Sequence, residues 1–213
     1  MKLKFLRTTG AVLVLAIGAS ACAPILVAGV AGSALVATDR RTSGTQLEDE
    51  TIELRVSAKV RDTFGEKVHV NVTSYNRQVL LTGEVPSEKE RQAVTAIAEK
   101  VENVKSVMNE LTAMPVTSLG SRSNDLIVSG KIKATLVDSR DLFANAFKVV
   151  TERNTVYLMG RVTQREADSA TALIRNVNGV NKVVRMFEII SEEELRGLLP
   201  APADKPDADK SKK

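Results

Sequence analysis

The sequence predicts an α+β fold built twice in tandem, each unit running α-β-β-α-β with two helices over one face of a three-stranded mixed sheet. Three observations lead there. The apolar run Val79-Leu-Leu-Thr-Gly83-Glu-Val85 returns as Val156-Tyr-Leu-Met-Gly160-Arg-Val162 at a constant offset, the mark of an internal repeat. Helical and strand-like apolar spacings alternate in the same order in both halves. Each glycine-bearing strand also follows a hairpin turn and precedes a helix and another strand. A hairpin makes its strands antiparallel and a strand-helix-strand crossover makes its strands parallel, so the sheet is mixed.

The first unit spans residues 51–113. Ile52, Val56, Val60 and Phe64 recur every four residues and give an amphipathic helix. Val70 and Val72 open a strand that the polar turn Asn76-Arg77-Gln78 joins to the Val79 run. Ser87 with Glu90 reads as a capping box, Val94, Ile97, Val101 and Val104 form the stripe of a second helix, and Val107 to Ala113 is the last strand. A Ser- and Gly-rich linker, 114–124, leads to the second unit, 125–191. There Val128, Ile132 and Leu136 give the first helix, and Phe147 and Val149 the strand before the turn Arg153-Asn154-Thr155. Thr163 with Glu166 is the box, Ala170, Leu173, Val177 and Val180 the stripe, and Val183 to Ile190 the closing strand. Residues 39–50 read as a polar lead-in. In residues 192–213, a short helix to Leu199 precedes a tail of disordered composition. Cores this small are marginal alone, so the units are expected to pack together.

Ahead of the repeats, Lys2, Lys4 and Arg7 precede an apolar run from Ala11 to Ala19 that ends in Ala-Ser-Ala-Cys22, the only cysteine. Residues 1–21 read as a secretory signal peptide whose cleavage leaves Cys22 first. A lone exported thiol has no disulfide partner, so Cys22 is expected to carry lipid, with 22–50 a lipidated N-terminus and linker. The bacterial lipoprotein box usually has Leu three places before the cysteine; this chain has Ala19. The rivals are a plain signal peptide and a membrane span, the span being the more serious, since Ala11 to Ala37 is uncharged and exceeds the ~20 residues that cross a bilayer. Pro24, Gly18, Gly29 and Gly32 weigh against it.

Composition removes several function classes. Aromatic residues are 3% with no Trp, which starves a base-stacking platform or a sugar-binding cleft. One His and one Cys exclude most zinc sites. The net charge of +4 admits acidic partners such as anionic lipid, nucleic acid or peptidoglycan, and an exported chain leaves little case for nucleic acid. No catalytic constellation, cofactor site or metal site emerges, so no enzyme is expected; most Asp and Glu read as solvated helix faces. His69, between Val68 and Val70, is expected to face solvent from a half-buried strand. Asn71-Val-Thr73 fits a glycosylation pattern but reads as strand. Gly83 and Gly160 read as structural, through positive φ or close backbone approach.

One surface stands out. Beside the core positions of the second unit's first helix, Ile127, Gly130, Ala134 and Val137 make a second, small-to-apolar stripe next to Leu126. Lys131 and Lys133 flank it, with Arg140 beyond. An apolar face bordered by cations suits a headgroup layer. Residues 125–190 hold ten Lys and Arg against seven Asp and Glu, whereas 51–112 hold nine of each. The stripe could equally pack against the first unit or stand exposed.

The repeats resemble BON domains. The resemblance rests on Thr38-Asp-Arg-Arg-Thr-Ser-Gly-Thr-Gln46, Asn71-Val-Thr73, Ser123-Asn-Asp125 and Leu158-Met-Gly-Arg-Val-Thr-Gln-Arg-Glu-Ala167, and the mature chain up to Ile190 is similar to dual BON-domain outer-membrane lipoproteins. That resemblance implies a periplasm-facing, lipid-anchored protein that keeps the outer membrane intact and is drawn to the division site. It also implies binding of anionic phospholipid, such as phosphatidylglycerol or cardiolipin, through the first helix of the second domain. The membrane-contacting tryptophan of that family corresponds here to Ile127, which lacks the amphipathic ring suited to the interface. The residue after Cys22 is Ala23, not the Asp that resembles an inner-membrane retention signal, and this favours the outer membrane. The alternative partner for the same surface is a protein: outer-membrane assembly machinery or a peptidoglycan-remodelling factor.

Overall fold

The computed structural model describes residues 39–115 and 119–198. The segment read as a signal peptide, Cys22 and the tail beyond Leu198 lie outside the described residues. The first unit contains α1 (Ser43–Phe64), β1 (His69–Tyr75), β2 (Gln78–Val85), α2 (Glu88–Glu99), β3 (Ser106–Asn109) and β4 (Thr112–Ala113). The second contains α3 (Leu119–Asp138), β5 (Lys148–Glu152), β6 (Thr155–Val162), α4 (Gln164–Arg175), β7 (Lys182–Ile189) and then α5 (Glu192–Leu198). In both sheets the hairpin pair is antiparallel, the crossover pair is parallel, and β2 or β6 lies in the centre. The expected α+β repeat is the observed one.

Both hairpins turn through two residues at positive φ, Asn76 and Arg77 (49° and 67°) and Arg153 and Asn154 (48° and 59°). Such turns match the strand twist but strain an arginine. A carboxylate holds each in place. Asn76 and Arg77 donate their N–H groups to Asp49 at 2.8 and 2.7 Å, and Arg153 and Asn154 donate theirs to Asp125 at 2.8 and 2.9 Å.

The central strands are buried on both faces, and their alternation sorts side chains into three cores. Val79, Leu81 and Val85 of β2 pack on Ile52, Val56 and Val60 of α1 and Val94 and Ala98 of α2. Val156, Leu158 and Val162 of β6 pack on Val128, Ile132 and Leu136 of α3 and Ala170 and Ile174 of α4. The intervening residues point the other way: Tyr75, Leu80, Tyr157, Met159 and Met186 form a third cluster shared by the two sheets. The layers are therefore helix, sheet, sheet, helix, and the continuous apolar runs that revealed the repeat are those of strands covered on both sides.

Four expectations are corrected by the structure. α1 begins at Ser43, within the expected lead-in, where the Thr42 hydroxyl accepts the Thr45 N–H at 3.1 Å; Leu47 is 65% exposed, so apolar periodicity could not mark those turns. α3 likewise begins at Leu119, inside the expected linker. Only Thr163 and Glu166 make a reciprocal capping box. Ser87 accepts from Lys89 N, and the Glu90 carboxylate accepts the Ser87 hydroxyl. Finally, the closing strand of the first unit is split into β3 and β4, whereas β7 is continuous.

Candidate membrane-facing site

α3 has two distinct sides. Val128, Ile132 and Leu136 are at most 1% exposed, while Leu126, Ile127 and Val137 are 74%, 58% and 69% exposed. Gly130, Lys131, Lys133 and Ala134 lie outside the core as well. At 3.6 residues per turn, Lys133, Leu126, Val137 and Gly130 share an arc of roughly 60° opposite the core. The two units meet through their sheets, and Leu126, at the edge of the stripe, borders a cavity shared with His69 and Asn71 of the first unit. Neither Lys131 nor Lys133 pairs with an acid among the described residues, and both extend beside bare apolar surface. Past the helix end, Phe143 is 46% exposed, with Arg140 nearby in the chain.

The body carrying this helix is tied together by charges the sequence did not flag. Asp49, Glu84, Asp125, Glu152 and Glu166 are buried, not on solvated faces. Arg40 forks onto Glu166 with two bonds of 2.7 Å. Arg41 bonds Asp49 at 2.8 Å and lies 4.2 Å above the Tyr75 ring. Tyr75 and Tyr157 answer each other across the units. Tyr75 Oη accepts from Arg161 N at 3.4 Å, and Tyr157 Oη donates to Glu110 at 3.2 Å. Burial pushes both phenols above their ordinary pKa. Burial also opposes the Glu166 carboxylate, but bonds from Arg40 and the Thr163 N–H outweigh it and hold its pKa below the usual range.

His69 is a further correction. It is half-buried, with Nδ1 3.0 Å from Oε2 of the fully buried Glu84. It also borders a cavity of about 220 Å³ between the two repeats, lined with Asn71, Leu126, Ser129 and Glu152. Burial raises the Glu152 pKa; its bond from Asn71 opposes the shift, and the neighbouring Glu84 and Asp125 charges add to it. Among the described residues no His, Cys, Asp or Glu cluster could hold a metal, and no helix is long and apolar enough to cross a membrane.

The two glycines sit at close approaches of backbone. A Cβ on Gly83, whose φ is +114°, would lie 2.1 Å from the His69 carbonyl oxygen; one on Gly160 would lie 2.5 Å from that of Ala146. Neither touches the α3 face. A signal for the buried acids was present: Asp49 and Asp125 each stand three residues before the first core residue of their helix, Ile52 and Val128.

Two segments, 48–115 and 124–191, match the BON domain family model. The outer membrane lipoprotein DolP of Haemophilus influenzae is 37% identical over 171 residues, 79% of this chain and 89% of that protein. The 21 kDa hemolysin of Actinobacillus pleuropneumoniae is 33% identical over 154 residues, 71% and 79% of the two chains. The osmotically-inducible protein Y of Escherichia coli is 28% identical over 144 residues, covering 66% and 72%.

Proposed function

We propose that this chain, which belongs to the BON-domain family and is a DolP-like outer-membrane lipoprotein, binds anionic phospholipid through the bare face of α3 in its second BON domain. The observation that carries the proposal is the exposure of Leu126, Ile127 and Val137 beside Lys131 and Lys133 on a helix whose other side is fully packed. Burying a Leu, Ile or Val side chain is worth ~1.5–3 kcal/mol, and each cation near an anionic surface adds ~1 kcal/mol. Such a helix alone binds reversibly. A lipid on the same chain keeps it at the surface, where the effective concentration is high.

Cys22 is the attachment point in this reading, and the α3 face recognises the charge of the leaflet around it. The role is binding without turnover, in keeping with a relative named as an outer membrane lipoprotein. The family resemblance extends the proposal to support of outer-membrane integrity at the division site. Flotation of the mature chain carrying Cys22→Ala tests it. Co-flotation with phosphatidylglycerol or cardiolipin vesicles, and little with phosphatidylcholine, is expected. Equal behaviour with both would favour a protein partner for the same face.

A further inference from the structure

The two hairpins place repeat-related residues at two corners of the junction between the sheets. Tyr75 ends β1 as Glu152 ends β5, and Glu84 follows Gly83 as Arg161 follows Gly160. The corners are chemically unlike. At one, Tyr75 Oη accepts the Arg161 N–H, and the Arg41 guanidinium lies over the ring. At the other stand two carboxylates, Glu152 and Glu84, with Asp125 beside them. Glu152 is 6% exposed, and Asn71 Nδ2 donates to its Oε2 at 3.1 Å across the junction. The first domain turns His69 of β1 and Glu84 of β2 toward it, and α3 contributes Asp125. In its own sheet Tyr157 of β6 is near, and the Arg153 side chain leads away to Thr112 and Met114. Among the described residues no Lys or Arg pairs with Glu152, and His69 is bonded to Glu84.

Burial, helped by the Glu84 and Asp125 charges, raises the Glu152 pKa against the opposing Asn71 bond and His69. The cavity of about 220 Å³ runs along these same residues, so parting of the sheets at this corner brings water to the carboxylate. Ionisation favours the state in which the charge is better hydrated. We propose that the junction between the two BON domains is proton-sensitive: with Glu152 neutral the sheets stay closed over their shared apolar cluster, and its ionisation raises the fraction of molecules in which they separate. The closed state is fully favoured below the ordinary carboxylate pKa and loses ground as pH rises through the raised one. The inference is independent of the phospholipid reading of α3.

The test is peroxide oxidation of Met159, which is 0% exposed within the shared cluster. The parent is the mature chain carrying Cys22→Ala, and each rate is divided by that of free methionine at the same pH. From the ordinary carboxylate range to neutral pH the ratio should rise at least threefold, in step with the Glu152 titration followed by carboxyl carbon NMR. Glu152→Gln, whose amide oxygen still accepts from Asn71, should hold the ratio flat. The slowest-exchanging amides of α1 and α4 should be better protected than Met159 at every pH. A flat ratio in the parent overturns the proposal, as does a rise that persists in Glu152→Gln and so belongs to the His69–Glu84 pair. Equal protection of Met159 and those amides overturns it too, since oxidation then proceeds through unfolding of the whole chain. If Glu152→Gln fails to fold, the parent decides: an oxidation profile out of step with the Glu152 titration is the overturning result.

Discussion

α1 and α3 hold the same place in the two BON domains: Ile52, Val56 and Val60 of one match Val128, Ile132 and Leu136 of the other, and all six are buried. Their outer sides diverge. Where α3 shows Leu126, Ile127, Lys133 and Val137, α1 shows Glu50, Thr51, Ser57 and Arg61. Leu47 and Leu54 are 65% and 73% exposed on α1, but Glu50 and Ser57 interrupt the surface around them, and isolated exposed leucines need no partner. The fold constrains the inner positions and leaves the outer ones free. Divergence confined to the outer side therefore points to function.

The strand glycines give a second contrast. Gly83 combines positive φ with close approach, and the third strand breaks into β3 and β4 alongside it. Gly160 has the close approach without positive φ, and β7 runs unbroken. Gly83→Val should therefore cost more than ~3 kcal/mol, through overpacking plus backbone strain. Gly160→Val, with overpacking alone, should cost ~1–3 kcal/mol. Thermal melting checks the order, and the reverse order would remove the distinction.

The buried acids sharpen the contrast between a carboxylate paired with a cation, Glu166, and one held by a neutral amide, Glu152. Glu166→Gln should destabilise by ~3–5 kcal/mol near neutral pH. The Glu166 pKa is lowered, so its contribution is present above the unfolded carboxylate pKa and lost as pH falls through the lowered one. The Glu152 pKa is raised, so its favourable state lies at acid pH and is lost as pH rises through the raised value. Glu152→Gln should accordingly melt above the parent near neutral pH. Melting curves across pH should bring each variant back toward the parent in acid.

Exchanging the helix surfaces addresses the comparison directly. Leu126→Glu with Ile127→Thr should weaken binding to anionic vesicles at least tenfold, with little change in melting, because both positions are exposed. Glu50→Leu with Thr51→Ile should leave α1 a poor binder, since no matching stripe completes it. Lys131→Glu with Lys133→Glu should weaken binding and flatten the salt dependence of what remains. The smallest expected effect is a gain: Ile127→Trp should tighten binding a few-fold, because indole suits the headgroup region. Flotation over a salt series reads all of these.

The repeat, the strand order and the inner faces of all four main helices were legible because apolar periodicity records burial against a neighbour. The α3 stripe was legible as residues but not as a surface; whether it packed or stood free depended on where the first domain sat. The helix start at Ser43 left no periodic trace, since its first turn adds no residue to the core stripe. Glu166 was read as a capping residue, which it is, but its second partner lies 126 residues away.

By itself the sequence determined the features that local pattern sets: an α-β-β-α-β unit made twice, hairpins at Asn76 and Arg153, and a helix with more apolar positions than one core can use. Only the tertiary structure decided that the sheets meet through Tyr75, Tyr157 and Met159, that Arg40 closes on Glu166, and that the half-buried His69 meets Glu84. The reason is physical. Periodicity encodes which side of an element is buried, whereas a charge pair depends on two residues far apart in the chain reaching the same dry place, and no spacing along the sequence specifies that meeting.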